Sequence, residues 1–108
     1  HGVRKDDVAS VLWLRRAARN GDADAQSDLG VRYHNGKGVG KNYPRSIMWY
    51  RRAVESGDDW SKFLLGLCYE SGEGVRKNLT TARKWFNSAA DAGVKEARGA
   101  LRRLDNNK

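Results

Sequence analysis

Tryptophan falls at positions 13, 49 and 85, so this chain of 108 residues runs on a period of 36. The same offset superposes Gly2, Gly38 and Gly74; Val3, Val39 and Val75; Lys5, Lys41 and Lys77; Ala17, Ala53 and Ala89; Gly21, Gly57 and Gly93; and Leu29, Leu65 and Leu101. Four more columns match twice: Gly30 with Gly66, Tyr33 with Tyr69, Gly36 with Gly72, and Asn42 with Asn78. A fixed period of roughly 20–50 residues marks an array of stacked supersecondary units, each too small to bury its apolar face alone. Such a chain is held by packing between neighbouring units more than by one central core.

Within each period the apolar spacing is helical. Ala25, Leu29 and Tyr33 recur at i, i+4 and i+8, and Ser61, Leu65 and Tyr69 repeat the pattern one period later, so each set lies on one helical face. Trp49, Ala53 and Val54 mark a second helix in the same way. Gly21 and Gly57 stand at C-cap positions, followed by Asp22 and Asp58 as N-cap candidates, while Gly36-Lys37-Gly38 and Gly72-Glu73-Gly74 make the longer turns. Pro44 sits in the first turn of its helix, where a missing N–H costs nothing. The pattern predicts an all-α chain with helices at 8–20, 23–35, 44–56, 59–71, 80–92 and 95–104, and no strands.

The run Trp49-Tyr50-Arg51-Arg52-Ala53, then Gly57-Asp58, then Leu65-Gly66-Leu67-Cys68-Tyr69, then Gly72-Glu73-Gly74-Val75 resembles the Sel1-like repeats, relatives of the tetratricopeptide repeats. The resemblance covers nearly the whole chain. It implies an α/α solenoid of antiparallel helix pairs, divided here into a second helix lacking its partner at 1–21, full repeats at 22–57 and 58–93, and a partial C-terminal capping repeat at 94–108. His1-Gly2-Val3 has the phase of Lys37-Gly38-Val39, which predicts a segment taken from a longer array. In the last unit Arg102 replaces the motif glycine and Asp105 the motif tyrosine, as suits a polar end cap. Gly30 and Gly66 are expected where paired helices approach closely, Ala17, Ala53 and Ala89 likewise, and the tryptophans with Tyr33 and Tyr69 to fill the space between successive pairs.

Charge and chemistry narrow the function. The net charge is +8, with six bases against five acids in residues 1–36, six against four in 37–72 and nine against four in 73–108. That bias favours acidic partners or nucleic acid through long-range attraction. A lone Cys68 excludes an internal disulfide framework and any cysteine-based zinc site. Of the two histidines, His1 is terminal and His34 reads as an exposed helix-end residue, with no metal-ligand spacing around it. Nucleophile elbows, Ser-x-x-Lys pairs and phosphate loops are missing, and the Gly-x-Gly elements lie between helices and follow no strand. Asp22, Asp24 and Asp28 suit cap and surface roles near a helix N-terminus. Asn78-Leu79-Thr80 has the form of a glycosylation acceptor, read as coincidence beside Asn42-Tyr43-Pro44 in the same column. Some cysteine-rich members of the resembled family are linked to β-lactam hydrolysis, but the paired cysteines that would carry this over are lacking here. No apolar run approaches the roughly 20 residues a bilayer requires. No enzyme, cofactor or metal is expected.

Recognition surface remains. In solenoids of the resembled kind, variable positions of the first helix of each pair line the concave, partner-gripping face. They transfer to Asp24, Ser27, Val31, His34 and Asn35 in one repeat, and to Trp60, Phe63, Leu67, Glu70 and Ser71 in the next. Trp60, Phe63, Leu64 and Leu67 form an apolar stripe at i, i+3, i+4 and i+7, rotated away from the core stripe of Ser61, Leu65 and Tyr69. Aromatic anchors of this type build binding hot spots. Arg98, Arg102 and Arg103, with Arg32 from the preceding repeat, are expected to form a basic rim around it. The expected function is a non-enzymatic protein-binding module that scaffolds or captures an acidic protein or peptide with apolar anchors, or acts as an inhibitor or immunity partner of an effector. Family resemblance points to periplasmic, envelope or secreted bacterial settings. Basic nucleic-acid binding is the alternative.

Overall fold

The computed structural model describes residues 5–106, and the phase argument from His1-Gly2-Val3 lies outside them. Six helices follow one another: α1 (Lys5–Arg19), α2 (Ala23–Asn35), α3 (Tyr43–Glu55), α4 (Trp60–Ser71), α5 (Leu79–Asp91) and α6 (Lys95–Asn106). No strand occurs among the described residues. Five helices begin and end within two residues of the ranges that periodicity predicts. The exception is α1, which starts three residues before Val8: Asp6 and Asp7 favour a helix N-terminus, and Asp7 is held by Arg32 at 3.5 Å.

Repeated polar side chains set where helices begin. The Asp22 carboxylate accepts from the Ala25 N–H at 2.9 Å, and Asp58 accepts from Ser61 through both N–H and hydroxyl. Asn42 and Asn78 cap α3 and α5, each accepting a 3.0 Å bond from the N–H three residues on. The Asn78 side chain of the sequon-like triplet is thus a helix cap, as its sister Asn42 is. Helix ends use glycine where the backbone needs positive φ. Gly57, expected as the C-cap of α3, lies at φ 99° one residue beyond the cap, Ser56, and Asp58 N–H closes the turn on the Ala53 carbonyl at 2.8 Å.

Successive helices pack in chain order, α1 on α2, α2 on α3 and so on to α6, giving an all-α solenoid of antiparallel pairs. Three apolar clusters are strung along the stack in place of one core. The first joins Val11, Ala18, Ala25, Leu29, Tyr33 and Trp49; the second, Ile47, Tyr50, Leu65 and Cys68; the third, Ala82, Phe86, Ala89, Ala97, Ala100 and Leu104. Glycine permits the closest crossings: a Cβ on Gly30 would lie 2.5 Å from the Tyr50 ring, and one on Gly66 2.5 Å from Phe86. Ala53 and Ala89 are fully buried on the second helices.

The three equivalent tryptophans have different fates. Trp49 is 6 % exposed against residues of α1 and α2, and Trp85 is half-buried against the Ile47 and Tyr50 cluster. Trp13 is 68 % exposed, which corrects the expectation that all three fill the space between pairs. Each covered tryptophan rests on the pair before it, and among the described residues no pair precedes α1. At the other end Arg102 is exposed and Asp105 pairs with Arg83 at 2.8 Å. Among the described residues no helix is long and apolar enough to cross a membrane.

Candidate functional site

Helix α2 turns Asp24, Asp28, Val31 and Asn35 to one side, at i, i+4, i+7 and i+11. The equivalent positions on α4 are Trp60, Leu64, Leu67 and Ser71. Between the two helices lies a cavity of about 250 Å³. Val31, His34 and Asn35 form one wall and Leu64, Leu67 and Cys68 the other, with Tyr50 of α3 and Glu73 of the following loop completing it. That volume suits a side chain or two of a partner and falls short of a typical drug-sized pocket of about 300–1,000 Å³.

Polar groups fix the closed end of this groove. His34 Nε2 lies 3.2 Å from Glu73 Oε1, and the imidazole ring stands 5.0 Å from that of Tyr43. Ser71 donates a 3.0 Å bond to the same carboxylate. The hydrogen bond from His34 is the main cause holding the Glu73 carboxyl below its ordinary value, with Tyr43 and Ser71 adding to it against the opposing effect of burial. His34 therefore ties α2 to the α4–α5 loop, where sequence reading gave only an exposed helix end. Cys68 is 3 % exposed, and burial pushes its thiol up to about 11, with Glu73 contributing.

The expected stripe is present but unequally open. Trp60 is 41 % exposed and stacks at 4.9 Å on Phe63. Phe63 in turn lies 5.8 Å from the buried Phe86, and both it and Leu67 pack on the Ala82 to Leu104 cluster. Leu64 packs on the Ile47 and Tyr50 cluster. Phe63 is thus as much core as surface, while Leu64 and Leu67 line the groove and Trp60 stands exposed one turn before Leu64.

Two residues of the expected basic rim, Arg32 and Arg103, are paired within the chain, and Arg98 and Arg102 are exposed. Arg32 points to α1, where it pairs with Asp7 at 3.5 Å and donates to Ser10 at 3.0 Å. Arg103 forms a two-point pair with Glu70. Arg98 is exposed on α6, and the structure does not bring it into the cavity wall. Ahead of Val31 on the same side of α2, Asp24 and Asp28 are exposed. Burial, and then the neighbouring Asp24, hold the Asp28 carboxyl above its ordinary value; Asp58 and Asp22 add to this against Arg32. The cap and surface roles expected of these aspartates hold: Asp22 and Asp58 cap helices, and Asp24 and Asp28 are exposed. Asp22, Asp24 and Asp28 share α2 and its cap, and only the approach of Asp58 to Asp28 depends on the next repeat stacking in register. Among the described residues no group of three or more His, Cys, Asp or Glu could hold a metal ion.

The family model for the Sel1 repeat matches residues 1–22, 23–58 and 61–94. No curated protein sequence matches the chain. Among solved structures, a Sel1 repeat protein from Oxalobacter formigenes is 39 % identical with a TM-score of 0.80, over 85 % of this chain and 69 % of that one. The cysteine-rich protein B of Helicobacter pylori is 31 % identical with a TM-score of 0.78, over 84 % of this chain and 68 % of that one. The protein c5321, a protective antigen present in uropathogenic Escherichia coli strains, is 40 % identical with a TM-score of 0.74 over 77 % of this chain. The chain spans only 18 % of that antigen's length.

Proposed function

The chain belongs to the Sel1 repeat family, and on that premise we propose that it is a non-enzymatic docking module whose α2 and α4 face captures a partner protein. Sel1 repeat proteins are generally protein–protein interaction modules. The observation that carries the reading here is the α2–α4 groove itself: an exposed Trp60 beside a cavity of about 250 Å³ walled by Val31, Leu64 and Leu67. An exposed aromatic next to an apolar pocket is how interface hot spots are built. The units at 22–57 and 58–93 supply one groove-lining helix each, α2 and α4, so the site belongs to the junction and to neither repeat alone. An inhibitory or immunity role is a special case of the same capture, in which the occupant is an effector's working surface.

A photo-crosslinking amino acid placed at position 60, and separately at the exposed Lys84 on α5, tests the reading in the native host. Protein adducts from position 60 and none from position 84 support it. Adducts only from position 84, or only to nucleic acid, would overturn it. The nucleic-acid alternative draws on the exposed Arg76, Lys77, Lys84, Lys95, Arg98 and Arg102 of the last period. It requires an affinity that falls linearly with log salt at a slope of about −0.9 per phosphate contacted on duplex DNA.

A further inference from the structure

On the side of α2 whose Val31 lines the groove, Asp24 and Asp28 stand exposed in a chain that is basic as a whole, and we propose that the occupant of the groove is a cationic segment of a partner protein. In that segment a Lys or Arg meets Asp24 and Asp28, and an apolar side chain fills the cavity beside Val31 and Leu67. This deepens the docking reading of the same face and rests on it.

Charge accounting around the groove decides the sign. Lys62 is paired with Asp59, Arg103 with Glu70, His34 with Glu73, and Arg32 is drawn away to Asp7. Asp58 is engaged in capping Ser61. Among the described residues Asp24 and Asp28, both exposed, form no ion pair, so the surplus on this side of α2 is negative. Partial burial raises the Asp28 carboxyl first, and the neighbouring Asp24 adds to it. Trp60, in the column of Asp24, supplies a ring face on which a guanidinium or ammonium can rest once its charge is met. An acidic segment would meet the carboxylates of Asp24 and Asp28, with the nearby Arg32 already paired to Asp7.

Geometry sets the spacing. Asp24 and Val31 are seven helical residues apart, a rise of about 10 Å. An extended strand covers about 3.3 Å per residue, so cation and apolar anchor should stand about three residues apart, as Lys/Arg-x-x-apolar.

Selection of a random dodecapeptide display library on the immobilised protein tests this. The +8 charge of the chain draws acidic peptides everywhere except at the groove, so enrichment of basic ones isolates the local field. The expected result is Lys or Arg enriched about fivefold or more three residues from a Leu, Met or aromatic residue. That enrichment should be lost on the Asp24→Asn, Asp28→Asn double variant while the apolar preference stays; both side chains are exposed, so the fold is not at stake. Acidic consensus peptides that still depend on Trp60 and Leu67 would overturn the cationic partner and leave the docking face standing. Sequences unaffected by Trp60→Ala and Leu67→Ala, or a dimer dissolved by Trp60→Ala with no peptide enriched, would overturn the cationic partner and place docking elsewhere or on a second copy.

Discussion

Arg15 donates a 2.8 Å hydrogen bond to the phenolic oxygen of Tyr33, and one period later Arg51 does the same to Tyr69 at 2.7 Å. The bond ties the second helix of one repeat to the first helix of the next, so it is a joint of the stack. At Tyr33 burial pushes the phenol up, but Arg15 and Arg45 more than offset it and hold it below its ordinary value. Tyr33→Phe should cost about 1–2 kcal/mol, because a hydrogen bond to a charged group is lost while the half-exposed guanidinium recovers water. Tyr69→Phe, at a more open joint, should cost under about 1 kcal/mol. Urea midpoints of the two variants check the order.

Gly66 and Gly99 are both helical glycines, and their alanine variants should move stability in opposite directions. A Cβ at Gly99 meets nothing within 4 Å. There the gain in helix propensity acts alone, and Gly99→Ala should stabilise by about 0.5–1 kcal/mol. At Gly66 the same gain competes with a 2.5 Å approach to the Phe86 ring, which is fully buried and has nowhere to move. Overpacking typically costs about 1–3 kcal/mol, so Gly66→Ala should be a net loss of about 1–2 kcal/mol. Equal shifts in thermal midpoint for both would show that the α4 and α5 contact is loose.

Trp49 and Trp13 share a repeat column and should differ in every solution property. Truncating the buried Trp49 to Ala should cost about 3–5 kcal/mol. Trp13→Ala, at an exposed site, should change stability by no more than about 0.5 kcal/mol. Selective removal by mutation should show Trp13 as the red-shifted, readily quenched contributor to the emission spectrum. A quencher-protected Trp13 would mean that another surface covers the outer side of α1.

Repetition made most of the fold legible. A 36-residue offset locates Gly30, Gly66 and the Tyr33 column, and the helix ends follow from Gly57, Asp22 and Pro44 without any tertiary information. Trp13 escaped because burial is a property of a neighbour: its column predicts a cover that only the preceding pair can supply. The site was half legible for a related reason. Trp60 and Leu67 stand out by comparison of sister helices, whereas the commitment of Arg32 to Asp7 and of Arg103 to Glu70 joins residues 25 and 33 positions apart. Sequence distance of that size carries no local signal, so the pairing of two of the four rim arginines was not expected.

Glu73 should give acid stability a visible step. Its carboxyl lies below the ordinary 4.5 when folded, chiefly through His34, so between the two values the unfolded chain binds more protons than the folded one. The contribution is complete above about pH 4.5 and is lost as pH falls through the lowered folded value. Stability curves of the wild type and Glu73→Gln should therefore stand apart near neutrality and converge in acid. Curves that stay parallel down to low pH would separate His34 from Glu73 in solution.

Cys68 tests whether the cavity between α2 and α4 is a closed apolar wall or an intermittently open one. Its thiol is pushed from 9.0 up to about 11, first by burial and then by Glu73. A rise of that size lowers the thiolate fraction near pH 8 by about a hundredfold against an ordinary cysteine, and only the thiolate attacks a disulfide reagent. Burial at 3 % exposure adds a second barrier, since the reagent must wait for the helices to part. Modification by an aromatic disulfide should thus be at least about a hundredfold slower in native buffer than in concentrated guanidinium. Destabilising the stack with Gly66→Ala should speed it in proportion to the stability lost, as opening-limited labelling requires. Trp60→Ala, which loosens only the surface above the cavity, should speed it far less. Fast native labelling that ignores Gly66→Ala would mean that Cys68 is reached directly through the groove, and the cavity would then be a channel to the thiol, open in the resting protein.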